Sequence, residues 1–162
     1  RRMVPGADGV GRTRARQPEY RGRPASARHA GHINARIKFR EKFRPFAPSV
    51  LAESLDEYFV GAVPDPFMLQ VYPVRPEKRD TIPAVTHVDG SGRLQTVSRD
   101  GNGRYWALID AFRRRTGVPV LLNTSFNENE PIVLTPDQAL DCFLRTDMDT
   151  LVLGSVILDK AA

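Results

Sequence analysis

The chain has 162 residues, of which 41% are hydrophobic and 27% are charged; this excludes an intrinsically disordered chain and is typical of one folded domain. No apolar run approaches the roughly 20 residues of a membrane helix, so we expect no membrane partner and predict a cytoplasmic protein. The single cysteine, Cys142, cannot form an internal disulfide, and its amphipathic context predicts a buried structural thiol.

The net charge of +5 comes from the start of the chain, where residues 1–33 hold eight arginines against two acidic residues. This stretch is rich in Arg, Gly, Pro, Ala and Ser and has no apolar periodicity. We therefore predict a disordered basic arm over 1–32 and one folded domain over 33–162. Basic arms can contact nucleic-acid phosphates, but this one has no interleaved aromatic residue beyond Tyr20, so a nucleic-acid partner is not expected.

Within the domain, short apolar stretches alternate with helical patterns, which favours a mixed α/β or α+β class. Residues 50–59 predict a helical turn and residues 68–74 predict a strand. Residues 83–88 and 94–97 predict the two strands of a hairpin, because the Asp-Gly-Ser-Gly sequence between them is typical of a turn.

The second half of the chain carries stronger local signals. Apolar residues at helical spacing predict a helix that starts near Tyr105 and ends at Gly117, with three arginines in its last turn. Strands are predicted at 118–122 and 132–134, with a polar loop between them. Thr135 begins a capping box with proline at the first helical position, and 151–158 predicts two strands hinged at Gly154.

Three polar clusters interrupt the apolar pattern and suit an anionic ligand. The first, which we call the cationic row, holds five cations at alternate positions, so an extended backbone would place them on one face. Its members are Arg36, Lys38, Arg40, Lys42 and Arg44. A charged, solvated edge strand is the alternative interpretation.

The second and third clusters are shorter. The arginine turn, 89–96, places Arg93 after a glycine-rich turn, where an ordinary turn residue is the alternative. The polar segment, 121–131, places Asn123, Ser125 and Asn127 where a buried strand ends, a common position for ligand contacts. The alternative there is a loop whose side chains bind their own backbone.

Residues 34–51, 88–97 and 116–133 resemble, in order, successive blocks of the carbamoyltransferase C-terminal domain, a family whose members carbamoylate nodulation factors, antibiotics and aminoglycosides. The resemblance implies a YrdC-like α/β fold with a twisted mixed sheet, flanking helices and a basic concave face. It also implies that the domain binds ATP and carbamoyl phosphate, with Mg²⁺, and forms carbamoyl-adenylate. A separate or missing N-terminal transferase domain, which would carry iron, is then expected to pass the carbamoyl group to an acceptor hydroxyl.

YrdC-like domains share a Lys-x-Arg and a Ser-x-Asn element, which match 38–40 (or 42–44) and 125–127 of this sequence. The resemblance gives catalytic roles to Lys38, Arg44, Arg93 and Ser125. The nucleotide and carbamoyl contacts that it implies are Lys38, Arg40, Arg44, Arg93, Asn123, Ser125 and Asn127. It implies no metal ligand in this domain.

The chain also departs from that family. Full-length members extend much further on the N-terminal side, and the residues before His32 do not resemble the segment expected there. We therefore expect a fragment with an unnatural start. Two alternatives to the enzyme remain open: a non-catalytic remnant of the same fold, and a nucleotide- or RNA-binding module that uses the basic arm and the cationic row.

Overall fold

The computed structural model describes residues 19–22, 46–128 and 130–160. They form two compact units: the first covers 20–22 and 46–124, and the second covers Glu19 and the described residues from Ser125 onward. The strands are Glu19–Gly22 (β1), Ala47–Leu51 (β2), Tyr72–Pro73 (β3), Ser91–Gly92 (β4), Gln95–Val97 (β5), Val120–Ser125 (β6), Thr150–Leu153 (β7) and Val156–Asp159 (β8). The helices are Leu55–Tyr58 (α1), Gly103–Thr116 (α2) and Pro136–Arg145 (α3), with 3-10 turns at Ala52–Ser54, Pro76–Thr81 and Pro83–Val85.

The main sheet has four strands in the order β1-β6-β2-β5. It is a mixed sheet, because β2 runs antiparallel to β6 and parallel to β5. Asn123 of β6 lies opposite Ala47 of β2, and Ser49 of β2 lies opposite Gln95 of β5. The carboxyl end of β6 therefore meets the amino ends of β2 and β5 at one end of the sheet. The predicted mixed α/β class is confirmed, whereas the YrdC-like details and the basic concave face stay predictions.

Helix α2 covers one face of the sheet at the end where β2 and β5 end. Tyr105 and Ile109 of the helix pack against Leu51, Val97 and Leu121, one from each of three neighbouring strands. The helix begins where the Asn102 side chain accepts a hydrogen bond from the Tyr105 amide, and it ends at Gly117 in the left-handed conformation. The predicted helix and its stop signal are confirmed.

The second unit contains α3 and a hairpin. Thr135 and Gln138 form the predicted capping box at the start of α3, and Pro136 occupies the first helical position. Cys142 is a buried free cysteine, as predicted. Strands β7 and β8 pair in an antiparallel manner around Gly154, whose φ is 57°, and this hairpin is confirmed too.

The predicted hairpin of 83–88 and 94–97 is wrong. Pro83–Val85 forms a 3-10 turn, and β5 pairs with β2 in the main sheet. Of the four predicted turn residues, Ser91 and Gly92 form β4 and pair with β3. A proline lacks the backbone N–H that a ladder needs, which explains why 83–85 does not pair.

Two other predicted strands are wrong because side chains occupy their backbone donors. In 68–74 only Tyr72–Pro73 forms a strand, since the Asp65 carboxylate accepts hydrogen bonds from the Leu69 and Gln70 amides. The stretch 132–134 is not a strand, because the Leu134 amide donates to the Gln138 side chain at the start of α3.

Other boundaries shift. Of the predicted helical turn at 50–59, Val50 and Leu51 belong to β2 and the helical residues are 52–58. Strand β6 extends to Ser125, into the predicted polar loop. Strand β1 lies within the stretch for which an arm was predicted, and the rest of 1–32 lies outside the described residues. Within the described ranges, no helix combines the length and apolarity that crossing a bilayer requires.

Candidate functional site

A buried polar group lies at the end of the sheet where β6 ends and β2 and β5 begin. It consists of Ser49, Gln95 and Asn123, and we call it the amide cluster. Gln95 Oε1 accepts two hydrogen bonds, from Ser49 Oγ at 2.8 Å and from Asn123 Nδ2 at 2.9 Å. Ser49 is 0% exposed and Asn123 is 3% exposed, whereas Gln95 is only half-buried.

The orientation of these amides is set by a backbone carbonyl. Gln95 Nε2 donates to the carbonyl oxygen of Pro66 at 3.4 Å, on the far side from the cluster. Asn123 Nδ2 donates to Gln95 Oε1, whereas Asn123 Oδ1 is buried without a hydrogen-bond partner among the described residues. A buried acceptor without a donor costs about 1–3 kcal/mol.

Arg93 lies two positions before Gln95, in the connection from β4 to β5. It is exposed, and it makes no hydrogen bond or ion pair with any residue that the structure describes. The main sheet therefore brings the arginine turn and Asn123 to the same end. An exposed guanidinium at this end of the sheet suits the anionic oxygens of a ligand.

The turn that precedes Arg93 is held by local hydrogen bonds. Ser91 Oγ donates to Asp89 Oδ1 at 2.6 Å and lies 3.1 Å from His87 Nδ1. The Ser91 hydroxyl and amide bonds lower the pKa of Asp89, whereas burial lowers the pKa of His87, so that the imidazole is neutral at pH 7. Gly90, with φ of 81°, lies against the Arg79 guanidinium, where a Cβ would meet Arg79 atoms at 2.5 Å. These contacts assign a structural role to the turn.

The cationic row lies outside the described residues, so the predicted roles of Lys38, Arg40 and Arg44 stay predictions. The chain that follows the row is described from Phe46, which is 2% exposed, and Ala47 pairs with Asn123. The first resembling block therefore joins the sheet beside the amide cluster.

Ser125 and Asn127 belong to the second unit. Ser125 Oγ donates to Asn127 Oδ1 at 2.7 Å, and Asn127 Nδ2 donates to the carbonyl oxygen of Glu130 at 2.7 Å. The Asn127 amide also donates to the Ser125 carbonyl oxygen at 3.2 Å. These contacts are the backbone-binding loop that was the alternative interpretation of the polar segment, and the ligand roles of Ser125 and Asn127 stay predictions.

Arg145 of α3 anchors that loop through a group of ion pairs that we call the Arg145 clamp. Its guanidinium contacts Glu128 at 3.0 Å, Glu130 at 3.1 Å and Asp141 at 2.9 Å. Desolvation alone would raise the pKa of Glu130. Hydrogen bonds from backbone amides, the Cys142 thiol and Arg145 overcome it and lower the pKa to about 2. Glu130 is therefore ionised at neutral pH and holds the Arg145 side chain in place.

Three residues of these arrangements were not singled out by the sequence patterns: Ser49, Gln95 and Arg145. Gln95 and Ser49 carried one weak signal, since each is a polar residue inside a short apolar strand pattern. In the described ranges, no group of three or more His, Cys, Asp or Glu residues has the arrangement of a metal site.

Comparisons with known proteins identify a family and several relatives of this chain. The family model described as "Carbamoyltransferase C-terminus" matches residues 21–160. Over 143 residues the chain is 55% identical to Nodulation protein NolNO of Sinorhizobium fredii, covering 85% of this chain and 21% of that protein. It is 50% identical over 143 residues to Nodulation protein NolO of Bradyrhizobium diazoefficiens, covering 85% of this chain and 26% of that protein.

A shorter match is found with Nodulation protein U of Rhizobium tropici, which is 47% identical over 91 residues, or 56% of this chain and 16% of that protein. The chain spans about a fifth to a quarter of the length of NolNO and NolO.

Proposed function

The chain belongs to the carbamoyltransferase C-terminus family, and from this premise we propose that the domain binds ATP and carbamoyl phosphate and forms carbamoyl-adenylate. In this reaction water displaces inorganic phosphate from carbamoyl phosphate, which leaves carbamate. A carbamate oxygen then forms a bond to the α-phosphorus of ATP, while the bond from that phosphorus to the bridging oxygen breaks and pyrophosphate leaves.

The observation that supports this proposal is the meeting of the resembling blocks around Asn123. The arginine turn reaches it through the Gln95 hydrogen bond at 2.9 Å, and the end of the first block pairs with it through Ala47. Attack by one anion on another needs positioning and fixed positive charge more than acid–base chemistry. The exposed arginine of the adjoining segment, Arg93, provides positive charge for this task.

We assign Arg93 and the cations Lys38, Arg40 and Arg44 to the phosphate oxygens, where each contact is a charge-assisted hydrogen bond. Asn123 contacts the carbamoyl group, with Ser125 and Asn127 as the further contacts carried over from the family. Mg²⁺ enters with ATP and takes most of its ligands from the triphosphate and water.

The transfer step belongs to the longer proteins of this family. We propose that the carbamoyl group passes from the adenylate to an acceptor hydroxyl in a separate transferase domain, which also holds the iron. The names of the similar proteins point to nodulation, but the present domain supplies no acceptor contact to this proposal.

Pyrophosphate exchange tests the adenylation step directly. Radiolabelled pyrophosphate is incubated with the chain, Mg²⁺, ATP and carbamoyl phosphate, and label is expected to enter ATP only when carbamoyl phosphate is present. Arg93→Ala should reduce this exchange on the order of ten-fold or more, since it removes a phosphate contact. Arg99→Ala is the matched control, because Arg99 is an exposed arginine of the same unit that stacks over Trp106.

The other outcomes separate the alternatives. Binding of ATP without exchange would indicate a non-catalytic nucleotide-binding module of the same fold. RNA binding that falls steeply with salt, together with no exchange, would instead indicate a nucleic-acid-binding module. Equal loss of exchange in Arg93→Ala and Arg99→Ala would remove Arg93 from the site.

A further inference from the structure

We propose that His87 is a further catalytic residue of this domain, the general base that removes a proton from the water that attacks carbamoyl phosphate. This inference rests on the proposed function and deepens it, because that reaction begins when water displaces phosphate from carbamoyl phosphate. The proposal assigns this first step to the turn that precedes Arg93. Adenylation remains with the cations and the polar segment.

The hydrogen bonds of the turn determine which nitrogen of His87 carries a proton. The ionised carboxylate of Asp89 can only accept, so the single hydroxyl proton of Ser91 is donated to Asp89 Oδ1 at 2.6 Å. The Ser91 oxygen is then an acceptor toward His87 Nδ1, which lies 3.1 Å away. Nδ1 therefore carries the proton of the neutral imidazole, and Nε2 keeps a lone pair that can accept another.

This lone pair is available to a substrate. His87 is only half-buried, and Nε2 has no hydrogen-bond partner among the residues that the structure describes. Burial lowers the pKa of His87, the charge of Asp89 opposes this effect, and the charge of Arg93 adds to it. The imidazole is therefore neutral at pH 7, which is the form that a general base requires.

His87 also lies near the proposed phosphate ligand. The Arg93 guanidinium is close enough for its charge to lower the pKa of His87. In carbamoyl phosphate a single bridging oxygen joins the carbonyl carbon to phosphorus, so a phosphate bound by Arg93 brings that carbon to the same turn. A base beside the phosphate ligand can reach the attacking water, directly or through one further water.

The proton and the phosphate leave the carbonyl carbon by different routes. The water oxygen forms a bond to this carbon, and His87 Nε2 takes one of the water protons. The bond from the carbon to the bridging oxygen breaks, and phosphate leaves with the electron pair. The second water proton passes from carbamic acid to the departing phosphate. The products are carbamate, hydrogen phosphate and an imidazolium, which returns its proton to solvent.

Pyrophosphate exchange with two different donors separates this step from adenylation. Carbamoyl phosphate requires the hydrolytic step, whereas ammonium carbamate supplies carbamate directly. His87→Asn keeps an N–H donor for Ser91 near the position of Nδ1 and removes Nε2. In this variant kcat for exchange with carbamoyl phosphate should fall on the order of a hundred-fold with little change of KM. Exchange with carbamate should keep the wild-type rate, and Arg99→Ala is the control that should retain both rates.

The pH dependence gives a second measurement. Because the pKa of His87 is lowered from 6.5, the base form is present at pH 7 and is lost only as the pH falls below 6.5. The wild-type kcat/KM for carbamoyl phosphate should decrease in that range, and His87→Asn should lack this His87-dependent decrease. Among the described residues, the charged groups around the imidazole are Asp89 and Arg93, with Arg79 of the neighbouring 3-10 turn against Gly90.

Wild-type exchange with carbamoyl phosphate in a folded His87→Asn chain, or an equal loss with both donors, would overturn the inference. If His87→Asn does not fold, the wild-type profile decides: a kcat/KM that stays constant from pH 7 to about 5.5 overturns the inference, and a decrease supports it. A wild-type chain that exchanges with neither donor would refute the proposed function and the inference together. Exchange with carbamate alone would refute the inference and leave adenylation standing.

Discussion

Replacing Glu130 by glutamine probes the Arg145 clamp with little change of shape. The Glu130 carboxylate pairs with Arg145 at 3.1 Å, and its backbone carbonyl accepts from Asn127. The substitution removes the negative charge, while the backbone contact to Asn127 does not depend on the side chain. It therefore measures what the charge of Glu130 contributes to the stability of this chain, through Arg145 and through the backbone amides and the Cys142 thiol that bond to the carboxylate.

The expected change in the free energy of unfolding, and its dependence on pH, follow from the pKa of Glu130, which is lowered from 4.5 to about 2. Because the folded pKa lies below the unfolded value, the carboxylate stabilises the fold above pH 4.5. This stabilisation is lost as the pH falls from about 4.5 to about 2. The shift corresponds to at most about 3 kcal/mol. The side chain is 31% exposed, so solvent screening reduces the expected contribution to about 1–2 kcal/mol.

Urea denaturation, followed by circular dichroism at pH 7 and at pH 2.5, measures the difference in the free energy of unfolding between the wild type and Glu130→Gln. Glu130→Gln should be less stable than the wild type by about 1–2 kcal/mol at pH 7. Near pH 2.5 most of that difference should disappear. Glu77→Gln, at an exposed position of a 3-10 turn, is the control. An equal deficit at both pH values, or a Glu130 titration midpoint at 4.5 or above by carboxyl-carbon NMR, would refute the reasoning.

Two further substitutions test local stop and start signals by thermal unfolding. Gly117→Ala should destabilise the protein by about 1 kcal/mol, because φ at Gly117 is 78°. No atom lies within 4 Å of the added Cβ, so backbone strain is the only cost of this substitution. Gly103→Ala, within α2 and with equal space, should be neutral or stabilising, and equal losses in both would count against backbone strain. Thr135→Ala should cost about 1 kcal/mol by removing the capping box, whereas Thr135→Ser should retain most of it; identical melting of the two variants would contradict the cap.

Local signals in the sequence were sufficient for the helices and for the last hairpin. The arginines and Gly117 marked the end of α2, and the Thr-Pro-Asp-Gln sequence marked the start of α3, because caps act between residues a few positions apart. The resemblance to the carbamoyltransferase C-terminal domain came from three ordered blocks, and the family match confirms it. The ligand roles of the site residues stay predictions.

Strand pairing was decided only in the tertiary structure. Turn residues before β5 predicted a hairpin, whereas β5 pairs with β2, some 46 positions away at Ser49 and Gln95. Turn residues indicate that the chain reverses direction. They do not indicate with which strand the following segment pairs. The partner is set by burial of Leu51, Val97 and Leu121 under α2, which involves residues from the whole unit.

The sequence by itself therefore determined the family, the helix ends and the polar segments in which a site is expected, since each of these depends on neighbouring residues. The tertiary structure alone decided that Gln95 contacts Asn123 and that Pro66 orients Gln95. No spacing rule relates these three positions. They meet because the sheet and the loop over 61–71 fold against each other, through the hydrogen bond from the Thr96 amide to the Asp65 carbonyl oxygen. The direction of an amide is a property of such contacts, which a linear pattern does not contain.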